Sequence, residues 1–275
     1  MTLLTHDRYC DEIAHQVEQL RAVVTSGADL SATVPTCPDW TLEQLNLHMG
    51  GVLRWAGTLV RKRAEENVPD EEIPRGDGPE TPGDAAALDA WLAEAGELAV
   101  GALREAGPDA KVWGWAGPQT AGFWARRMAH EITVHRADAT LAAGLPYEVA
   151  PDIAADAIDE WLQIVGWVRE QEGKEAPVGA GESIHLHATD TAPEPNAERS
   201  EMGVPPPEGW GRLIEGTEEG FGWRRGHEKA DVALCGPLTS LLLAFYRRIP
   251  LDSPQLEVLG ERKVLEFWLE RASFG

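Results

Sequence analysis

Residues 41–67 read TLEQLNLHMGGVLRWAGTLVRKRAEEN. Thr41 precedes the first apolar residue and Gln44 follows three positions later. That is a capping box, in which each side chain satisfies an otherwise unpaired backbone N–H at the helix start. A long helix is expected from here, with Leu42, Leu45, Val52 and Trp55 marking its buried side. His48 lies three residues after Leu45 and four before Val52, so it points inward on the same face.

Similar patterns lie on either side. His6 to about Ser26 repeats Ile13, Val17, Leu20, Val23 and Val24 at helical spacing. Asp84 to Ala106 carries Leu88, Trp91, Leu92, Leu98 and Leu103, and Gly107-Pro108 stops it. Thr120 to Ala143, TAGFWARRMAHEITVHRADATLAA, is a fourth helix, and Pro151 opens a fifth that runs to about Glu170. VPDEEIPRGDGPETPG (68–83) reads as a long solvated loop between the second and third helices. Four helices with one long link predict an antiparallel four-helix bundle with a crossover.

After about Gly173 the texture changes. SIHLHATD alternates like a half-buried strand, with Ile184, Leu186 and Ala188 on one face and His185, His187 and Thr189 on the other. Ala192–Pro207 is a Pro- and acid-rich loop. WGRLIEG and GFGWRRG read as a hairpin around Thr217–Gly220, and ADVALCG as a further strand. Pro237–Arg248 reads as a helix, and LEVLGERKVLEFWLERASF as a strand and a short helix. The expected fold class is therefore α+β: a helical bundle over 1–172, then a smaller α+β domain over 173–275.

The chain has 24 Lys+Arg against 46 Asp+Glu, a net charge of −22. Such a surface repels phosphate backbones and anionic lipid, so neither nucleic acid nor a membrane is an expected partner. Residues 1–172 hold 13 basic and 29 acidic residues, against 11 and 17 in 173–275, so the acidity is expected mainly on the bundle. Cys10, Cys37 and Cys235 form no CxxC pair, which argues against a disulfide scaffold and fits a reducing compartment. The first residues, MTLLTHDRYCDEIAHQ, lack a basic segment followed by an apolar run. No stretch reaches the roughly 18 apolar residues of a membrane span. A cytoplasmic protein, monomeric or homodimeric, is expected.

The chemistry-bearing stretch is HEITVH (130–135). It differs from the HExxH zinc motif, whose two histidines stand four apart on one helix face. Here they are five apart, about 140° around the helix. Glu131 and His135, by contrast, are four apart and project together, while His130 points off that face. With His48 from the second helix they would form a two-histidine, one-carboxylate site suited to Zn²⁺, Fe²⁺, Ni²⁺ or Mn²⁺, with open positions. The alternative on the same residues is a core histidine at 48 and a Glu131–Arg127 ion pair. Asp138, three residues beyond His135, is placed to orient that histidine and so contribute to catalysis. A surface Arg–Asp pair is its plainer reading. Cys37, before a helix start, is a nucleophile candidate or simply a packed small residue.

Two stretches carry a family resemblance. VPTCPDWTLEQLNLHMGG (34–51) resembles the first motif of the actinobacterial maleylpyruvate isomerase-like, mycothiol-dependent family, and HEITVHRADA (130–139) resembles its second. ADVALCGPLTSLLLAFYRRIP resembles the family's C-terminal helix more loosely. The resemblance implies a DinB-like bundle and a divalent metal, zinc first and nickel or iron next, on His48, Glu131 and His135. It implies mycothiol as the thiol cofactor, bound at the metal beside His48. It also implies a basic residue that holds substrate and cofactor, here Arg248. Arg247 and Asp39 stand where the family usually has Gly, so the choice between Arg247 and Arg248 is open.

The implied activity is thiol-dependent. A metal-activated thiolate adds to a conjugated cis alkene, the new single bond rotates, and elimination gives the trans isomer. If the thiol stays attached, the same chemistry is S-transfer to a small electrophile. Two other classes stand beside it. One is a non-catalytic bundle with a structural metal that binds a small ligand or partner. The other is a metal hydrolase, for which Asp138 is the sole candidate base.

Overall fold

The helices begin where polar side chains can accept their first N–H groups. In the computed structural model, which describes residues 4–74, 77–191 and 210–272, α1 is His6–Val24 and is capped by Thr5. A short hairpin of β1 (Thr33–Val34) and β2 (Cys37–Thr41) follows, where the sequence reading places only a loop and turn. α2 is Leu42–Lys62, with the complete Thr41–Gln44 capping box. α3 (Ala85–Ala106) starts on Asp84 and α4 (Ala121–Ala142) on Thr120, each accepting backbone N–H groups at the helix start.

These four helices form the expected bundle. α2 packs on α3 and α4, and α1 packs on the same two. The long connection between α2 and α3 sets their direction. Gly50 meets Trp91 and Gly57 meets Leu98 and Ala99, so α2 and α3 run the same way. A Cβ at Gly50 would fall 1.9 Å from the Trp91 ring, which is why the two helices need glycine there. α2 and α4 run in opposite directions, since Trp55 meets Trp124 while His48 meets His135.

The buried stripe of α2 is Leu42, Leu45, Met49, Leu53 and Ala56. Val52 and Trp55 are only half-buried, so the core-facing side is turned about one position from the sequence expectation. His48 lies at the edge of this stripe rather than within it, with 31% of its side chain exposed.

The chain divides into compact units after Tyr147, not after 172. α5 (Pro151–Glu172) therefore belongs to the second unit. Two contacts explain why. Asp159 of α5 accepts a bidentate pair from Arg212, and the Tyr246 hydroxyl donates to the Ala157 carbonyl. With this boundary the charge is shared: 12 basic and 22 acidic residues in 1–147, and 12 and 24 in 148–275. The bundle does not hold most of the acidity, because α5 carries six of the acids.

The second unit adds β3 (Ser183–Ala188), β4 (Gly211–Thr217), β5 (Gly220–Arg225), β6 (Val232–Gly236), α6 (Leu238–Phe245), β7 (Glu257–Gly260) and α7 (Arg262–Arg271). The sheet order is β5-β4-β3-β6-β7, antiparallel except for the β3–β6 pair. Ile184, Leu186 and Ala188 of β3 are buried as their alternation requires. Trp268 of α7 packs edge-on to Phe221 and stacks on Phe245, closing this core. The loop expected over Ala192–Pro207 lies outside the described residues. Among those described, no helix is long and apolar enough to cross a membrane.

Candidate functional site

α4 presents Glu131 and His135 one helical turn apart, and α2, running in the opposite direction, brings His48 opposite them. Glu131 Oε1 lies 3.4 Å from His135 Nε2 and 3.7 Å from His48 Nε2. The two imidazole rings stand edge to face with centroids 5.1 Å apart. Three ligand atoms, one from each side chain, all fall within 4.8 Å of one another.

The fourfold arithmetic suits a cation. Ligands about 2.0–2.1 Å from a tetrahedral zinc lie about 3.3–3.4 Å from each other. The observed separations are close to that edge and longer than hydrogen bonds of about 2.7–3.2 Å. The donor set, two imidazoles and a carboxylate, is one that Zn²⁺, Ni²⁺ and Fe²⁺ share.

The surroundings hold each donor in place. Arg127 Nη2 donates to the other Glu131 oxygen at 2.7 Å, so the anticipated i−4 pair forms and still leaves Oε1 facing the histidines. Burial alone would raise the Glu131 pKa. The Arg127 charge, with the two nearby imidazoles, overcomes this and holds the carboxyl well below the usual range.

On the far side of the His135 ring, Nδ1 donates to Asp138 Oδ2 at 2.9 Å. Asp138 is fully buried, and the Thr36 hydroxyl donates to its Oδ1 at 2.6 Å. Cys37 Sγ lies 3.9 Å from Oδ2. Burial alone would lower the His135 pKa. The hydrogen bond to Asp138 and the charges of Asp138 and Glu131 raise it to about 9, so the ring carries a proton on Nε2 that a bound cation would have to displace.

Cys37, His135 and Asp138 also lie close enough to form a ligand group. There, however, both Asp138 oxygens are already engaged by Thr36 and His135. Asp138 sits behind His135 rather than facing Glu131 and His48, where it can orient the His135 ring but not face a cation held between the other three groups. We predict that Asp138→Asn weakens divalent-metal affinity about 10–100-fold. A chelator competition titration measures this, and unchanged affinity would remove Asp138 from the site.

Sequence reasoning missed Thr36 and did not place Trp40 at the site. Trp40 stacks at a tilt on His48, with centroids 4.8 Å apart, and lies 6.3 Å from the His135 ring. The β1–β2 hairpin carries both residues in, and CPDW was the visible signal for it. His130 points away, as its spacing requires, and packs edge-on against Tyr9 of α1.

Both halves of the chain match family models. Residues 10–140 match the mycothiol maleylpyruvate isomerase N-terminal domain, and residues 152–267 match the C-terminal domain of the same family. The chain belongs to the mycothiol-dependent maleylpyruvate isomerase family. Two solved structures share the family's fold with it. One is a mycothiol-dependent maleylpyruvate isomerase, with 16% identity, TM-score 0.57, and coverage of 95% of this chain and 97% of that one. The other is a histidine-to-alanine mutant of a mycothiol-dependent maleylpyruvate isomerase, with 14% identity, TM-score 0.58 and the same coverage. Among curated proteins no sequence matches significantly.

Arg248, the cation expected from the sequence resemblance, lies just after α6 in the second unit. The helix stops at Phe245, three residues before the predicted end. Arg247 N–H donates to Ala244 O and Arg248 N–H to Leu243 O, a Schellman closure. Arg247 holds the left-handed position at φ 63°, a backbone conformation that glycine adopts without strain. Arg248 is half-buried, and its Nη1 donates to Tyr246 O at 2.8 Å.

Proposed function

We propose that this chain is a metal-dependent isomerase that uses a low-molecular-weight thiol, mycothiol by family membership, on a small unsaturated dicarboxylate. The observation that carries the reading is the convergence of His48, Glu131 and His135 in a chain that matches the family over both domains. When bound, a divalent cation (zinc first, nickel or iron next) and the thiol supply a thiolate nucleophile at neutral pH, whose reversible addition makes a conjugated cis double bond rotatable.

The chain's residues do the rest. His48 and His135 turn Nε2 toward Glu131 Oε1 and would hold the cation through those nitrogens, and Glu131 adds a negative charge that Arg127 keeps oriented. Asp138 accepts the Nδ1 proton of His135, which reserves Nε2 for a cation that displaces its proton. The Trp40 ring lies against His48 and fixes the plane of its imidazole. Arg248 is proposed as the cation for a substrate carboxylate, since guanidinium binds carboxylate through two parallel hydrogen bonds. The chain's own thiols need no part. Burial pushes Cys10 up to about 11 and raises Cys235 as well, and neither lies in the cluster.

The test is an assay with maleylpyruvate and mycothiol, other thiols or none, with and without EDTA. The expected result is a trans product that forms only with metal and thiol and consumes no thiol. A stable thioether product would convert the reading to S-transfer. Turnover indifferent to both thiol and EDTA would overturn it.

A further inference from the structure

The second unit holds another cluster, which the proposed reaction does not use. β3 places His185 and His187 two residues apart and therefore on one face, opposite buried Ile184, Leu186 and Ala188. His227, just after β5, joins them. The three ring centroids lie 5.0–5.6 Å apart, and one ligand nitrogen from each ring falls within 4.8 Å of the others.

The backbone makes room for this. Gly211 on β4 pairs in register with His187. A Cβ there would fall 2.5 Å from His227 Cε1 and 2.8 Å from its Nδ1. A side chain at 211 would therefore push His227 out of the cluster.

We propose that His185, His187 and His227 form a second divalent-cation site, independent of the first and suited to zinc or a neighbouring d-block ion. Imidazole is a ligand these ions favour, and three histidines leave one position open to water. His187 Nδ1 and His227 Nδ1 stand 3.0 Å apart, about 0.3–0.4 Å short of a tetrahedral zinc edge, so a small ring movement admits the ion.

That pair engages His187 and His227, and a backbone hydrogen bond with Gly226 engages one side of the His185 ring. His185 Nε2 is buried and has no hydrogen-bond partner. A buried nitrogen left without a partner costs about 1–3 kcal/mol, and a cation uses that lone pair. Burial and the two neighbouring rings also push His185 down to about 4, so its ring is neutral at neutral pH. The nearby Glu228 carboxylate is held by Arg224 through two hydrogen bonds and does not compete for the rings.

The test is zinc stoichiometry of the full chain by equilibrium dialysis and elemental analysis. The wild type is expected to bind two ions, His48→Ala one, the His187→Ala/His227→Ala double variant one, and the combined triple variant none. If the double variant binds as much zinc as the wild type, the second site is overturned. If the wild type binds one ion and only the double variant loses it, the second site stands and the first fails. A measurement on a protein with the second cluster intact guards against misfolding of the double variant. Zinc added to His48→Ala should shift the imidazole NMR signals of all three histidines together, and unmoved signals would overturn the proposal.

Discussion

His48→Ala is expected to lower thiol-dependent turnover about 10³-fold while leaving the fold intact. Lewis-acid stabilisation by a bound metal contributes several kcal/mol. Losing about 4 kcal/mol of it corresponds to roughly three powers of ten in rate. Little else depends on this side chain. It sits at the edge of the α2 stripe with 31% exposure, touches the Trp40 and His135 rings, and lies 3.7 Å from Glu131. Truncation there leaves the Leu45–Met49–Leu53 core undisturbed, so the melting temperature should stay within a few degrees. Steady-state kinetics, metal analysis and a thermal melt on the same preparation check all three points. A variant that loses its metal and unfolds would favour a structural ion in a non-catalytic bundle. A variant with full turnover would remove His48 from the site.

Arg212→Met is expected to destabilise the second unit by about 3–5 kcal/mol. Arg212 is fully buried on β4. Its Nε and Nη2 donate to the two Asp159 oxygens at 2.5 and 2.9 Å, and its guanidinium lies 4.4 Å from the centroid of the Trp210 ring. The Asp159 side chain is 2% exposed, so removing the arginine strands a buried carboxylate. Arg225, 3.7 Å away and partly solvated, offsets only part of that loss. Burial already raises the Asp159 pKa against the pull of Arg212, and the variant must raise it further. The sign of the pH effect follows. A carboxyl whose folded pKa exceeds its unfolded value binds more protons when folded, so stability falls as pH rises. Relative to wild type, the variant's deficit should therefore shrink as pH falls from 7 toward 5. Urea melts at both pH values measure it. A loss under about 1 kcal/mol would show that the pair does not hold α5 to the sheet. Adding Asp159→Leu should restore most of the loss, since an apolar pair carries no stranded charge.

Much of the candidate site was legible because it is local. Glu131 and His135 share a face because the α-helix repeats every 3.6 residues, and no tertiary contact is needed to know it. The Thr41–Gln44 capping box marks the start of α2 for the same reason, since both partners lie within one turn. The alternation of SIHLHA likewise foretold which face of β3 is buried. His48 was reachable only as a candidate, because spacing cannot say which helix lies across from α4.

Where the reading failed, the deciding contacts span long stretches of chain. The periodicity of α5 shows a helix but not its partner. Arg212, more than fifty residues later, draws Asp159 and the whole helix to the second unit, and the acidity goes with them. Thr36 is invisible in sequence because its partner, Asp138, is 102 residues away.

The sequence by itself determined the long helices, the strands of the second unit's sheet, the two-domain order and the three candidate ligands, because capping, periodicity and motif spacing act within a few residues. The tertiary structure alone decided that His48 faces Glu131, that Thr36 holds Asp138, that α5 joins the sheet, and that a glycine on β4 makes room for a third histidine beside β3. Those four outcomes depend on which distant surfaces pack together, and neither composition nor local spacing encodes that.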